Sequence, residues 1–145
     1  MNPEFMYKAI ETANLSGKDI PVGAVIVKNN VILASAHNQK EADNDVTAHA
    51  EIIAIKRTSQ LLQNWRLDDC DLYVTLEPCP MCMWAILQAR IKNLYFGAYD
   101  TVYGAISTNP KIIHLANSNL KYKGGIMEQE CKILLDNYFK MLRED

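Results

Sequence analysis

The run LYVTLEPCPMCMWAILQARI, residues 72–91, changes period in its middle, and this change restricts the fold more than any other feature of the chain. Its first part, LYVTLE, is a short apolar run of the kind found in buried strands. Pro78 and Pro80 stop it, because proline has no amide hydrogen for a ladder. Pro80 also suits the first turn of a helix, where that donor would have no partner. A helix over PMCMWAILQARI is therefore expected to begin where the strand ends. Cys79 and Cys82 then lie three apart on one side of its first turn. The positive end of the helix dipole favours their thiolates there.

The same alternation runs along the rest of the chain. Residues 3–15 fit a helix with Phe5, Ala9, Ile10 and Ala13 on one side. VGAVIVKNNVILASA reads as a hairpin turning at Lys28-Asn29-Asn30, since asparagine tolerates the left-handed backbone of a tight turn. His37 to Thr47 is polar and aperiodic, hence a loop, and AHAEIIAIKRTSQLL is a helix capped by Thr47 or a neighbour. NLYFGA is a further strand, residues 100–118 are ambiguous, and LKYK reads as a short last strand. Met127, Cys131, Leu134, Leu135, Tyr138 and Leu142 form one apolar stripe of a closing helix. Strands alternating with helices after an opening hairpin imply an α/β sandwich with a mixed sheet.

At 145 residues the chain is the size of a single domain, 1–145, and needs no disulfide staples. The formal charge of −2 gives no global basic field, although a local patch could still meet a nucleic acid. The start lacks the apolar core of a signal peptide, and no apolar run is long enough to span a bilayer. The expected compartment is the cytoplasm, where four cysteines are thiols or metal ligands rather than disulfides.

A catalytic zinc takes three protein ligands and keeps a fourth position for water. His49 falls at the start of one expected helix, as Cys79 and Cys82 do at another, so two helix starts could supply one nitrogen and two sulfurs. Glu51, two residues after His49, could move protons beside such a metal. A Cys-x-x-Cys pair alone also fits a redox couple or a structural zinc. A redox couple gives His49 and Glu51 no role. A structural zinc wants a fourth ligand, and the spare soft side chains, His37, His114, Cys70 and Cys131, lack ligand spacing.

His-Ala-Glu followed by Pro-Cys-Pro-Met-Cys matches a known pattern of zinc deaminases rather than being a consequence of spacing. The chain resembles the cytidine deaminase-like superfamily, and within it the bacterial tRNA-specific adenosine deaminases. The resemblance rests on Ile20 to Val25, His37-Asn38, Ala48 to Glu51, Gln63 to Leu67, Thr75 to Cys82, Ala89 to Ile91, Phe96 to Ala98 and Phe139 to Arg143. It implies a three-layer sandwich with a five-stranded mixed sheet, and a homodimer. It further implies Zn2+ on His49, Cys79 and Cys82, with Glu51 as the proton shuttle. Asn38 would contact a flipped nucleoside, Val22 would line the pocket, and the Ala50 amide would meet the base. The implied reaction is adenosine to inosine at the wobble base of a tRNA anticodon loop, whose unpaired bases reach a pocket cheaply. The chain departs from the family's usual text across Thr101 to Pro110.

The remaining candidates have plain readings. Cys131 belongs to the core stripe and Cys70 is a bystander. Trp65 and Trp84 are packing or dimer anchors, and Tyr138 divides between core and nucleotide stacking. Competing functions are a deaminase of free bases or nucleosides and a zinc-stabilised binding module without activity. The second of these leaves Glu51 unexplained.

Overall fold

The structure is a computed structural model that describes residues 1–144. Its elements in chain order are α1 (Pro3–Ala13), β1 (Gly23–Lys28), β2 (Val31–His37), α2 (Lys40–Asp43), α3 (Ala50–Leu62) and β3 (Asp71–Leu76). There follow α4 (Pro80–Gln88), β4 (Asn93–Ala98), α5 (Lys111–Ala116), β5 (Lys121–Lys123) and α6 (Glu128–Glu144). The five strands make one sheet in the order β2-β1-β3-β4-β5. β1 is antiparallel to β2 and β3, whereas β3, β4 and β5 are parallel, so the sheet is mixed.

The hairpin turns on Asn29 and Asn30, whose φ values of 51° and 61° are the left-handed pair that a two-residue turn requires. Both faces of the sheet are covered. Ala24, Ile26, Leu72, Val74, Leu94 and Phe96 belong to the core with Ala50 and Ala54 of α3 and Met83 and Ile86 of α4. Val25, Val27 and Tyr73 point the other way, to Met6 and Ala9 of α1 and Cys131 of α6. Period-two alternation thus sorts each strand between two helical layers. Gly23 lets α1 sit directly on β1, since a Cβ there would run into the Ala9 carbonyl.

The expected three-layer α/β sandwich is therefore present, with local corrections. The expected loop at His37–Thr47 contains α2, and the ambiguous stretch contains α5. Thr47 does not cap α3: the N-cap is His49, and Asp45 takes both the amide and the hydroxyl of Thr47. In α1 the fully buried positions include Met6 and Thr12, while Phe5 and Ile10 pack at the margin of the core. On α6 Cys131 is buried as expected, but Leu142 is 53% exposed, because the helix outruns the sheet that it covers. Among the described residues no helix is long and apolar enough to cross a membrane.

Candidate metal centre and its cavity

Two helices start toward each other at one end of the sheet. His49 is the N-cap of α3 and Cys79 the N-cap of α4, and neither uses its side chain to cap its own helix. Cys82 lies one turn into α4. His49 Nδ1 is 3.4 Å from Cys82 Sγ and 3.8 Å from Cys79 Sγ. The three donor atoms lie within 4.8 Å of one another. A tetrahedral zinc, with bonds of about 2.3 Å to sulfur and about 2.0 Å to nitrogen, needs its donors roughly 3.6–3.8 Å apart. The observed separations bracket that requirement, so the donor set fits the ion in number, chemistry and spacing. Cys70, His37, His114 and Cys131 lie outside the cluster, so no fourth protein ligand of that kind joins it among the described residues.

Without a metal, the sulfurs share one proton. The Cys82 thiol lowers the Cys79 pKa to about 4, with help from His49 and against the cost of burial. The same contact with Cys79 pushes Cys82 up, as do burial and the nearby Glu51 carboxylate. Hydrogen bonding to Cys79 raises His49. The pocket therefore already favours thiolate beside an imidazole, the electrostatic condition for binding a dication.

Glu51 sits in the first turn of α3 and is only 4% exposed. Burial lifts its pKa to about 7, and the Cys79 thiolate adds to the rise. His49, Glu51 and Cys79 open into a cavity of about 400 Å³ that Val22, Asn38 and Tyr103 also line. That volume lies toward the small end of the range for small-molecule pockets, about 300–1,000 Å³.

Val22 lies on the cavity wall. The Asn38 side chain has structural partners of its own. Its Oδ1 accepts the Ala50 amide at 2.8 Å and its Nδ2 donates to the Ile20 carbonyl at 3.1 Å. The Ala50 N–H, expected to meet a base, is thus held by Asn38. This bond caps α3 from outside the helix and leaves the His49 imidazole free to face the sulfurs. Tyr138 is half-buried, lines the cavity and donates to the Lys18 carbonyl at 3.2 Å.

Two buried carboxylates escaped the sequence reading. Asp19 accepts the amides of Glu41 and Ala42, fixing α2 at one lip of the cavity. Glu77 accepts amides from the 100–107 segment at another. Both partners are distant in sequence, and no local periodicity signals them.

Residues 1–98 match the cytidine and deoxycytidylate deaminase zinc-binding region. The tRNA-specific adenosine deaminase of Bacillus subtilis is 37% identical over 144 residues, covering 97% of this chain and 89% of the relative. A solved structure from a study of A-to-I editing by tRNA:A34 deaminases at the wobble position of transfer RNA superposes with a TM-score of 0.89 at 38% identity. It covers 92% of this chain and 100% of that one. A guanine deaminase structure from Bacillus subtilis has a similar identity, 39%, but a TM-score of 0.67 and coverage of 79% and 76%. The histidine–cysteine cluster, the buried glutamate and the sheet order thus accompany matches that extend over nearly the whole chain, and the chain belongs to the tRNA-specific adenosine deaminases, a branch of the zinc-binding cytidine and deoxycytidylate deaminase family.

Proposed function

We propose that this chain converts adenosine to inosine at the wobble position of a tRNA anticodon, with His49, Cys79 and Cys82 as the zinc ligands and Glu51 as the proton carrier. The observation that carries the reading is the facing of His49 with Cys79 and Cys82 beside a buried Glu51 in one small cavity.

The reaction exchanges the C6 amino group of adenine for an oxygen from water and releases ammonia. Zinc, when bound, supplies a Lewis acid that brings ionisation of water into the neutral range. Glu51 takes a proton from the attacking water and carries it to ring N1 as the C6–O bond forms; it then takes the proton of the new C6 hydroxyl and gives it to the amino group, so that the C6–N bond breaks, C6=O forms and ammonia leaves. Burial raises the proton affinity of Glu51 above that of an ordinary carboxylate, which suits a group that must both take and give a proton. Val22 gives the base an apolar wall, and burial of Glu51 keeps bulk water from competing for the proton. Asn38 holds α3 in register, and its second Nδ2 hydrogen and second Oδ1 lone pair are left for the nucleoside.

The enzyme forms one domain over residues 1–145, acts in the cytoplasm and pairs as a homodimer. Trp65 at 61%, Trp84 at 40% and Leu115 at 74% exposure support pairing through the α3–α4–α5 face. Large apolar groups on a monomer surface mark interfaces.

The test is a panel of a tRNA anticodon stem-loop, adenosine, cytosine and guanine, followed by mass spectrometry and ammonia release. Amino-to-oxo exchange confined to the stem-loop is the expected result. Turnover of guanine or cytosine with an untouched stem-loop would assign a free-base deaminase instead.

A further inference from the structure

Glu77 is among the largest fully buried side chains, at 1% exposure, yet it is not one of the clustered metal donors. Its carboxylate accepts four hydrogen bonds, all from one segment. The Asp100 amide reaches Oε1 at 3.1 Å and the Ser107 hydroxyl reaches it at 2.7 Å. The amides of Ile106 and Ser107 reach Oε2 at 2.9 and 2.7 Å. A carboxylate only accepts, so this ring of donors satisfies it, whereas burying it bare would be costly.

Besides Glu77, the segment after β4 is held by Ala105 and Ile106 at the core and by bonds within itself. Within it, the Gly104 amide meets the Asp100 carbonyl at 3.1 Å and the Asn109 amide meets the Gly104 carbonyl at 2.8 Å. The Ala105 amide bonds the Pro78 carbonyl at 2.9 Å. The chain therefore wraps the Glu77 head group. Gly104 passes so close that a Cβ there would run into Glu77 Cδ, and glycine is the residue that fits. This wrapped segment brings Asp100 and Tyr103 to the cavity wall. Glu77, Pro78 and Cys79 are consecutive, so one short turn both faces His49 and holds the opposite wall.

We propose that Glu77 is a positioning residue: it fixes the 100–107 wall relative to the Cys79–His49 pair and so sets where Asp100 and Tyr103 meet the substrate. The role at the substrate rests on the deaminase reading above; the anchoring of the wall does not. Glu77→Gln keeps the size but turns an amide donor either toward the Asp100 amide or toward the Ile106 and Ser107 amides, and a backbone amide only donates.

The experiment measures three quantities on zinc-loaded wild type and Glu77→Gln: amide hydrogen exchange at Asp100, Ile106 and Ser107, zinc content, and kcat and KM for an anticodon stem-loop. Expected are exchange faster by at least about tenfold at Asp100 or at the Ile106 and Ser107 pair, whichever the glutamine NH2 faces, equal zinc, and a KM raised about tenfold with kcat changed less than about threefold. Unchanged exchange, a fall in kcat at constant KM, or zinc lost in step with KM would overturn the proposal. Gly104→Ala leaves the carboxylate intact but forces the segment off it, and should give the same pattern. Ser107→Ala, which removes one of the four bonds, should give a smaller version. Together these variants carry the test if Glu77→Gln does not fold. If wild type leaves the stem-loop unchanged, the tRNA reading fails, while exchange and zinc content still report on Glu77.

Discussion

The Asn38 side chain accepts the Ala50 amide at 2.8 Å, so a residue just past β2 caps the helix that presents His49 and Glu51. One of the unpaired donors at the start of α3 is thereby satisfied without using the His49 side chain. Asn38→Ala removes the cap. It should lower stability by about 1 kcal/mol and weaken zinc binding roughly tenfold by loosening the support of a ligand. Asn38→Asp keeps an acceptor for Ala50 and should retain most of the zinc affinity. Urea titration with a competitive zinc chelator reads both effects, and equal zinc affinity in Asn38→Ala and wild type would contradict the capping role.

Glu51 makes the metal-free protein sensitive to pH. Its folded pKa of about 7 lies above the ordinary 4.5, chiefly through burial. Below 4.5 both folded and unfolded chains hold the proton, and the group costs no stability. As pH rises toward 7 the unfolded chain releases it first, so stability falls through that window. The loss is about 3 kcal/mol once both states are ionised. In chelator, Glu51→Gln should therefore differ little from wild type near about pH 5 and be clearly more stable near about pH 8. Equal urea midpoints near the higher pH would show that the carboxyl is not desolvated as described.

The sulfurs should differ in reactivity once zinc is removed. Cys79 is half-buried, with a pKa lowered to about 4 mainly by the Cys82 thiol, while Cys70, Cys82 and Cys131 are buried thiols with raised values. Thiolate, not thiol, is the nucleophile. Iodoacetamide in mildly acidic buffer should label Cys79 first in metal-free protein, and zinc should block the labelling. Peptide mapping that finds Cys70 or Cys131 modified before Cys79, or no protection by zinc, would contradict the donor assignment.

Lys40 is the one lysine or arginine among the described residues that line the cavity, alongside the carboxyl groups of Asp19, Glu41, Glu51, Glu77 and Asp100. An RNA substrate must bring phosphate to this acidic mouth, and α2 places Lys40 at its lip. Lys40→Ala should weaken binding of the stem-loop and reduce the slope of log affinity against log salt by about 0.7 to 1. Turnover of bound substrate should change little. An unaltered salt slope would remove Lys40 from the RNA contact.

The parts of the fold that are local in the chain are legible in its sequence, and the parts made by distant pairing are not. Asn29-Asn30 announces a left-handed turn, and Pro80 marks the start of α4, because each preference is written into one residue's own backbone. His49, Cys79 and Cys82 are recognisable because coordination chemistry limits the residue types that can serve. Asn38 as a cap for Ala50, Asp19 as the anchor of α2 and Glu77 as the template of the 100–107 wall link residues 12 to 30 positions apart, with no period to reveal them. The short helices α2 and α5 have no side-chain N-cap and no buried residue, so neither start signals nor an apolar stripe marks them. On α6 the stripe is real in sequence, but nothing in the spacing says that Leu142 extends past the sheet.

The central claim is that Glu51 moves the protons of deamination beside a zinc held by His49, Cys79 and Cys82. Its most direct test is inosine formation in an anticodon stem-loop by wild type and Glu51→Gln, each loaded with zinc to the same content. The account predicts inosine from wild type and a rate at least about a hundredfold lower from the variant. A variant that forms inosine at nearly the wild-type rate with its zinc in place would contradict it.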